Sequence, residues 1–397
     1  MHPESKKKTV MRYNFDKIIP RENTNCIKYD IREAVFGQPD VLPMWVADMD
    51  FETPDFAREA VIRRAKHPVY GYHFKDKPYY QAIAGWLKRH HQWEVPLEWM
   101  SFVPGVVCGF NMAVMAFTNE GDEVIIQSPV YPPFHHAATS HHRKLVYNSL
   151  KVGENGYEMD FDLLERQAKT AKMLILCNPH NPVGRCWTRE ELLRLSEICL
   201  RNHVLVIADE IHCDLVLPGF KHVPFATLSE ETANHCIVFH AASKTFNLAG
   251  LATSTAIIPN RVLRDTFNDY VHSMEAELGN IFGKVATQAS MEKGDEWLGQ
   301  LLEYVQGNID YVSDFLSNHL PQVKFFKPQA TYMMWLDFNA YDLTEEKLWQ
   351  KMTQEARLGF NRGKDFGSEG NKFFRINLAC PRSTVEEAMR RLQQHFA

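Results

Sequence analysis

The sequence has no excess of positive charge, no C-x-x-C cysteine pair and no long uninterrupted apolar run. Its 397 residues include 44 Lys+Arg against 49 Asp+Glu, a formal net charge of −5. Proteins that bind a nucleic-acid backbone need a basic footprint, so we expect no nucleic-acid partner. The least polar stretch, residues 102–117, is broken by Pro104, Gly105 and Gly109 and is shorter than the ~20 apolar residues of a membrane span. We therefore expect no membrane partner.

The cysteines and the N-terminus indicate a cytoplasmic protein. The 8 cysteines are scattered, and several stand inside apolar runs. This is typical of buried free thiols in a reducing compartment rather than of a disulfide framework. No apolar region follows the basic residues at the start of the chain, so we expect no secretory signal. Lys6, Lys7 and Lys8 are interpreted as a solvated tail.

The middle of the chain predicts an α/β domain with a mainly parallel sheet. Short runs rich in Val and Ile, apolar throughout, are typical of strands buried on both faces; they cover residues 124–127, 173–177, 204–208, 236–240 and 255–258. A helix is predicted over residues 188–202, where Thr188 and Glu191 form a capping box. Strands that alternate with helices favour a parallel sheet.

Both ends of the chain predict a second, smaller domain. Beyond about residue 285 the pattern becomes α+β, with helices over 297–320 and from 383, and strands over 323–326, 332–338 and 373–378. We predict a large domain over residues 51–288 and a small domain over 289–397. Residues 1–50 are predicted to complete the small domain.

Polar side chains follow the runs that we assign to strands. In an open parallel sheet, ligands bind outside the carboxyl ends of the strands. The side chains found there are an aromatic, a carboxamide, a carboxylate and a lysine, namely Tyr131, Asn181, Asp209 and Lys244. We therefore expect these four residues to meet in one crevice.

Lys244 has small and apolar neighbours, in the run A-A-S-K-T-F-N at 241–247. Most loop lysines are simply solvated, but nothing local keeps this one in water. A partly desolvated lysine has a lowered pKa and can form a Schiff base with a carbonyl. Asp209 could merely cap the next helix. The pair also matches pyridoxal 5′-phosphate (PLP), whose aldehyde takes a lysine and whose ring nitrogen takes a carboxylate.

Other residues suit the same cofactor, and each has a simpler alternative. Gly105 precedes a helical stretch and would let backbone amides approach a phosphate, or it could be only a turn. Tyr131 can stack on a pyridine ring or simply pack. Asn181 can donate to the phenolic oxygen of the cofactor, or its N-P-H-N-P run could be plain turn chemistry.

Together these residues resemble the fold-type I PLP enzymes, the aspartate aminotransferase-like superfamily. Within it the sequence is most similar to the cystathionine β-lyase (C–S lyase) branch of MalY/PatB type, over nearly the whole chain. The segments that carry the resemblance are W-V-A-D-M-D-F at 45–51, Y-G-Y at 70–72, N-P-H-N-P-V-G at 178–184, D-E-I-H-C-D at 209–214, S-K-T-F-N-L-A-G-L at 243–251 and F-R-I-N-L-A-C-P-R at 374–382.

The resemblance implies an aspartate aminotransferase-like fold, a homodimer with shared active sites, and a role for each matching residue. It implies Lys244 as the Schiff-base lysine, Asp209 at the pyridine nitrogen, Tyr131 on the ring face and Asn181 at the phenolic oxygen. It further implies Arg375 as the clamp for the substrate α-carboxylate, with Val46 and Ala47 beside the substrate. Tyr72 would reach the cofactor phosphate of the neighbouring subunit.

The sequence departs from the superfamily pattern near the phosphate. Ala252 stands where many aminotransferases have an arginine, and Ala241 stands where a serine is common. Phosphate binding would then depend on Ser243, the amides of Val106 and Val107, and Tyr72 of the partner subunit. His212 occupies the position of a tyrosine that lies near the phenolic oxygen in many relatives.

The leading hypothesis is PLP-dependent β-elimination from an S-substituted cysteine such as cystathionine. The alternative is an aminotransferase that uses the same lysine, aspartate and arginine. A catalytically silent PLP-binding regulatory protein is the third. The histidine pairs at 135–136 and 141–142 have no carboxylate or cysteine at ligand spacing, so we expect a surface loop and no metal there.

Overall fold

The computed structural model describes residues 12–397, so Lys6, Lys7 and Lys8 lie outside the described residues. The strands, in chain order, are β1 (Leu42–Pro43), β2 (Met100–Val103), β3 (Glu123–Ile126), β4 (Lys144–Tyr147), β5 (Lys151–Gly153), β6 (Gly156–Glu158), β7 (Met173–Cys177), β8 (Leu205–Asp209), β9 (Cys236–His240), β10 (Ser254–Ile257), β11 (Lys324–Phe325), β12 (Met333–Asp337), β13 (Leu358–Gly359), β14 (Asn361–Arg362) and β15 (Phe373–Asn377).

The α-helices alternate with these strands in the middle of the chain and dominate its ends. They are α1 (Ile27–Asp30), α2 (Arg32–Phe36), α3 (Asp55–Ala65), α4 (Lys77–His91), α5 (Val106–Phe117), α6 (Pro133–Thr139), α7 (Phe161–Gln167), α8 (Arg189–Arg201), α9 (Glu230–Ala233), α10 (Arg261–Ser273), α11 (Ile281–Lys293), α12 (Asp295–His319), α13 (Glu345–Gln350) and α14 (Arg382–Phe396).

The larger sheet has seven strands in the order β2-β10-β9-β8-β7-β3-β4. Its strands from β9 to β4 are parallel, and β10 runs antiparallel to both β9 and β2. Strands β7, β8 and β9 are buried along their whole length, because side chains pack against both faces. The predicted α/β class with a mainly parallel sheet is confirmed.

Helix α8 shows how local sequence sets an element beside this sheet. The Thr188 hydroxyl accepts from the Glu191 amide, and the Glu191 carboxylate accepts from the Thr188 amide. This reciprocal capping box satisfies amides that the first helical turn leaves without partners. Leu192, Leu195 and Ile198 then face the core. The predicted helix and its cap are confirmed.

The smaller sheet has four antiparallel strands in the order β11-β12-β15-β14, and α12 packs against α14 beside it. The N-terminal residues join this part of the molecule, since β1 pairs in parallel with β13. That pairing supports a small domain built from both chain ends. The residue boundaries of the two domains stay a prediction.

The apolar runs locate their strands to within one residue, but two strands of the larger sheet, β2 and β4, were not predicted. His135 and His136 lie in α6, so the prediction of a loop was wrong for that pair. The His135 ring contacts the Tyr147 hydroxyl and the Phe366 carbonyl. Within residues 12–397, no helix is long and apolar enough to cross a membrane.

Candidate active site

The carboxyl ends of four adjacent strands, β3, β7, β8 and β9, open onto one cavity of about 420 Å³. Because parallel strands all end at the same edge of a sheet, the loops that follow them meet there. The structure brings most of the predicted site residues together in its lining: Ala47, Gly105, Val106, Val107, Tyr131, Asn181, Asp209, His212, Ser243 and Lys244.

Lys244 lies in the loop after β9, with its amine enclosed by protein. Its Nζ donates to the backbone oxygen of Ala47 at 2.8 Å. Burial and, to a lesser degree, the nearby positive charge of Arg375 lower the pKa of Lys244 to about 8, with Asp48 and Asp209 partly opposing the shift. A substantial fraction of the amine is therefore neutral near pH 8, as a nucleophile or a base requires.

Asp209 is the last residue of β8 and is buried. One carboxylate oxygen accepts from the Ile211 amide at 3.0 Å. Burial raises the pKa of Asp209 to about 7, because few groups compensate for the lost water. A positively charged donor beside this carboxylate would favour its ionised form.

Helix α5 points its N-terminus into the cavity. Gly105, its N-cap residue, has φ +108°, a backbone conformation that residues other than glycine rarely adopt. A Cβ built there would meet nothing within 4 Å, so the glycine leaves open space in front of the helix. The first amides of an α-helix have no intrahelical partner, and together with the helix dipole they attract anions.

Arg375, in β15 of the smaller sheet, is not itself in the cavity lining but contacts Asn181, which is. Its Nη1 donates to the Asn181 side-chain oxygen at 2.9 Å, and its Nη2 donates to Asn361 Oδ1 at 2.6 Å and to the Trp45 carbonyl at 2.8 Å. Its buried Nε has no partner among the described residues. Burial lowers the pKa of Arg375 to about 10, so the guanidinium remains charged near neutrality. These three acceptors are neutral, so the buried guanidinium suits the carboxylate of a ligand.

Tyr131 and His212 lie in the wall between these groups. The Tyr131 amide donates to the Asn181 carbonyl at 3.2 Å, which ties the loops after β3 and β7 together. Burial lowers the pKa of His212 to about 3, so its imidazole is neutral. The His212 Nδ1 atom is buried without a partner in the described part of the chain.

The segment 45–49 crosses between the two sheets, and side chains donate to each of its carbonyls. From Trp45 to Met49 the donors are Arg375 (2.8 Å), Asn377 (2.7 Å), Lys244 with Tyr332 (2.8 and 3.0 Å), Asn377 again (2.6 Å) and Asn247 (3.1 Å). The two candidate functional cations therefore share one stretch of backbone. The motif at 45–51 suggested this segment, but not its hydrogen bonds.

Val46 and Tyr72 lie apart from the main cavity. Val46 lines a neighbouring cavity of about 1030 Å³ that also includes Ala47 and Lys244. Tyr72 is 96% exposed and lines neither of these cavities. Its predicted place in the site of a neighbouring subunit stays a prediction.

Sequence reasoning missed Thr253 and Ser254, which line the cavity beside Ser243. They precede and begin β10, whose first residues lie at the carboxyl edge of the sheet because this strand runs antiparallel to β9. An apolar run does not reveal strand direction, so the sequence does not show that the residues before this run lie at the same edge as the residues after the others. These hydroxyls lie next to Ala252, where the expected arginine is missing.

A buried hydrogen-bond network behind Lys244 was also missed. The Asp214 carboxylate accepts from Trp86 Nε1 at 2.9 Å, His91 Nε2 at 2.7 Å and the Thr245 hydroxyl at 2.8 Å. Cys213 lies beside it. Since the histidine and the carboxylate already contact each other at hydrogen-bond distance, we interpret this cluster as structural support for the Lys244 loop.

These groups fit PLP one by one. The helix N-terminus suits its phosphate, the buried carboxylate suits a protonated ring nitrogen, and the enclosed lysine suits its aldehyde. Asn181 also fits, because its oxygen faces Arg375 and its amide nitrogen is left to donate to a phenolic oxygen. The residues present thus satisfy each polar part of the cofactor.

Comparison with known proteins agrees with this geometry. The family described as aminotransferase class I and II matches residues 39–392. The chain is 42% identical to "Cystathionine beta-lyase PatB" of Bacillus subtilis over 382 residues, which cover 96% of this chain and 99% of the relative.

Solved structures show the same likeness. Cystalysin from Treponema denticola, which contains a pyridoxal 5′-phosphate cofactor, has a TM-score of 0.94 and 34% identity over 97% of this chain and 99% of its own. The PLP-bound C–S lyase from Staphylococcus hominis has a TM-score of 0.90 and 33% identity, over 98% of this chain and 99% of its own. The chain therefore belongs to the aminotransferase class I and II family, in the branch that contains the cystathionine β-lyases.

Proposed function

We propose that this protein is a PLP-dependent carbon–sulfur lyase that converts an S-substituted L-cysteine, of the cystathionine type, into a thiol, pyruvate and ammonia. The observation that carries the proposal is that Lys244 and Asp209 line one cavity and that Arg375 bonds to Asn181 in its wall, in a chain 42% identical to a cystathionine β-lyase. A lysine base, a ring-nitrogen carboxylate and a carboxylate clamp are what elimination from an amino acid requires.

Each polar part of the cofactor, and one face of its ring, would meet its own residues. Lys244 would bind its aldehyde, Asp209 its ring nitrogen, and Asn181 its phenolic oxygen, with neutral His212 as a second donor at that oxygen. Tyr131 would cover one face of the ring. The amides of Val106 and Val107, together with Ser243, would bind the phosphate, and Thr253 and Ser254 add hydroxyls at the same wall. When bound, PLP withdraws electrons from the substrate α-carbon.

Arg375 would bind the substrate α-carboxylate through its guanidinium fork. The Nε atom is available, and the bonds to Asn181 and Asn361 are neutral contacts that a carboxylate can replace. Val46 and Ala47 belong to the backbone that Arg375 holds at Trp45. They would therefore lie against the substrate once its carboxylate is bound.

Lys244 would act as the base that removes the α-proton. The lowered pKa gives a neutral amine near pH 8, and the Ala47 carbonyl is an acceptor for that amine in its protonated form. Loss of the α-proton lets the thiolate leave from the β-carbon, and hydrolysis of the remaining three-carbon unit gives pyruvate and ammonia. Thiolates are weaker bases than alkoxides, which favours sulfur as the leaving group.

The active unit is proposed to be a homodimer with shared sites. Tyr72, Phe74 and Tyr70 are 96%, 75% and 59% exposed within one short stretch of chain. Large exposed aromatic groups that cluster together are typical of interfaces. In this arrangement Tyr72 of the partner subunit would complete the phosphate site.

We also propose that the enzyme acts in the cytoplasm. All eight cysteines are free thiols, from Cys26 to Cys380. Thiols that stay reduced are usual in that compartment. No cysteine has a role in the proposed chemistry.

One experiment tests lyase against aminotransferase. The purified holoenzyme is given cystathionine without any keto acid, and pyruvate and ammonia are measured over time. Continued release of both over many turnovers supports the lyase. A single stoichiometric turnover that leaves the cofactor in its amine form would identify an aminotransferase, and no turnover with PLP bound would identify a silent binding protein.

A further inference from the structure

Two donors from different parts of the molecule meet at the backbone oxygen of Ala47. Lys244, from the loop after β9 of the larger sheet, donates at 2.8 Å. Tyr332, from the residue before β12 of the smaller sheet, donates its hydroxyl at 3.0 Å. Tyr332 is 1% exposed, and Ala47 is 8% exposed. A carbonyl has two lone pairs, so both donors bind at once.

The Tyr332 hydroxyl stays a donor under all ordinary conditions. Burial and the nearby Asp48 carboxylate raise its pKa far above the usual value for tyrosine. Ala47 O is the single hydrogen-bond acceptor that the hydroxyl has in the described part of the chain. The neighbouring carbonyls of Val46 and Asp48 are held separately by Asn377. The Ala47 carbonyl therefore stays in place whether or not Lys244 is bound to it.

We propose that Tyr332 is a positioning residue that lets Lys244 leave the Ala47 carbonyl for the cofactor and return to it. When the lysine leaves, Tyr332 keeps this largely buried carbonyl hydrogen-bonded. Without Tyr332 the carbonyl would be left without a donor, and the free-energy cost of that state would favour keeping the lysine bound to it. When the lysine returns, the phenol already occupies one lone pair and limits how strongly the carbonyl holds the ammonium. This inference rests on the proposed role of Lys244.

The proposal predicts how loss of the Tyr332 hydroxyl changes the Lys244 pKa and the affinity for PLP. Without the hydroxyl, the Ala47 carbonyl accepts from Lys244 alone. The protonated amine is then stabilised, so the Lys244 pKa rises. Cofactor binding weakens, because the lysine must then leave the carbonyl unpaired. The other charged or titratable groups around the amine are Arg375 of β15, Asp48 of the segment 45–49, Asp209 of β8 and His212 of the following loop. Tyr332 also faces Arg375, Asp48 and the His212 ring, and Tyr332→Phe keeps its ring and removes only the hydroxyl.

The test compares Tyr332→Phe with Tyr341→Phe. Tyr341 is a matched control, since its hydroxyl also donates to a backbone carbonyl, that of Phe396 at 2.8 Å, far from the cavity. In the cofactor-free protein, the Lys244 pKa is measured from the pH dependence of its modification by an amine reagent, followed by peptide mass spectrometry. We expect Tyr332→Phe to raise it by about half a unit and to weaken PLP binding about fivefold, with Tyr341→Phe unchanged.

A second variant should shift the Lys244 pKa in the opposite direction, and it keeps the test possible if Tyr332→Phe fails to fold. Replacing Tyr332 by 3-fluorotyrosine keeps the hydroxyl and makes it a stronger donor, so the Lys244 pKa should fall. A Lys244 pKa that is the same in the folded wild type, Tyr332→Phe and fluorotyrosine proteins would overturn the proposal. These titrations need neither substrate nor turnover, so their failure is separate from a failure of the proposed lyase function.

Discussion

Arg375 donates through Nη1 to the side-chain oxygen of Asn181, 2.9 Å away. A guanidinium has no acceptor atom, so the amide oxygen must face it and the amide nitrogen must point the other way. The candidate carboxylate clamp therefore orients the candidate cofactor donor. In their proposed roles, this contact would couple substrate binding at Arg375 to cofactor binding at Asn181, although Arg375 lies in the smaller sheet and Asn181 follows a strand of the larger one.

Replacing Arg375 by lysine should damage substrate binding more than cofactor binding. A lysine keeps the charge but loses the planar fork, and each charge-assisted hydrogen bond is worth about 1.5–3 kcal/mol. We expect kcat/KM for cystathionine to fall about 10- to 100-fold, mainly through a higher KM. Steady-state pyruvate release measures this. Arg390→Lys is the control, because Arg390 lies on the surface with its side chain 61% exposed, and equal losses in both variants would refute the clamp.

Replacing Lys244 by alanine should abolish both turnover and the visible absorbance band that a lysine-bound cofactor gives. The fold should persist, since Tyr332 still donates to the Ala47 carbonyl. Absorbance spectra and thermal melts of the purified variant check the two points. Lys88→Ala serves as the control, because the Lys88 ion pair with Glu94 is exposed and screened by water. A normal visible band in the Lys244→Ala protein would remove Lys244 from the assignment.

The stability of the cofactor-free protein should depend on pH through Asp209. Its pKa is about 7 in the folded chain against an ordinary 3.8, so between these values the folded state binds more protons than the unfolded state. The contribution of Asp209 to the free energy of unfolding is therefore fully present below about pH 4. It is lost as the pH rises to about 7, which lowers that free energy by on the order of 4 kcal/mol.

Asp209→Asn should flatten this dependence, because the amide does not titrate. Urea unfolding of cofactor-free wild type and variant between pH 4 and 8 measures it, and Asp162→Asn, at a side chain 82% exposed, is the control. Parallel pH profiles for wild type and Asp209→Asn would show that the folded carboxylate is not perturbed. Added PLP should reduce the wild-type loss above pH 7, since a protonated ring nitrogen favours the ionised carboxylate.

The sequence predicted more of the site residues than of the residues that hold them in place, and the reason is physical. Asp209 and Lys244 follow buried apolar runs, and the loops after parallel strands converge at one edge of the sheet, so their proximity follows from local pattern. Thr253 was missed because strand direction is a long-range property. Tyr332 was missed because its partner, Ala47, is a backbone carbonyl 285 positions away in the chain, and no side-chain pattern marks an acceptor of that kind.

The proposed sharing of sites between subunits predicts that two defective chains restore each other. Lys244→Ala removes the base from a subunit's own site, while Tyr72→Ala removes the group that the subunit gives to its partner. A mixed dimer of the two variants contains one site with both defects and one site with neither. Each variant alone should be impaired, and the mixed dimer should regain about half the wild-type activity per dimer, because one of its two sites is intact.

Mixing is best done by unfolding and refolding the two chains together with different affinity tags, so that mixed dimers can be isolated. Tyr147→Ala replaces Tyr72→Ala in a control mixture, since Tyr147 is also an exposed tyrosine, 46% accessible, and lies on edge strand β4. Full activity of Tyr72→Ala on its own would contradict its role at the phosphate. If Tyr72 acted within its own chain, each mixed dimer would combine one Lys244-deficient site with one Tyr72-deficient site. No recovery above the Tyr72→Ala value would follow, and the shared-site proposal would be wrong.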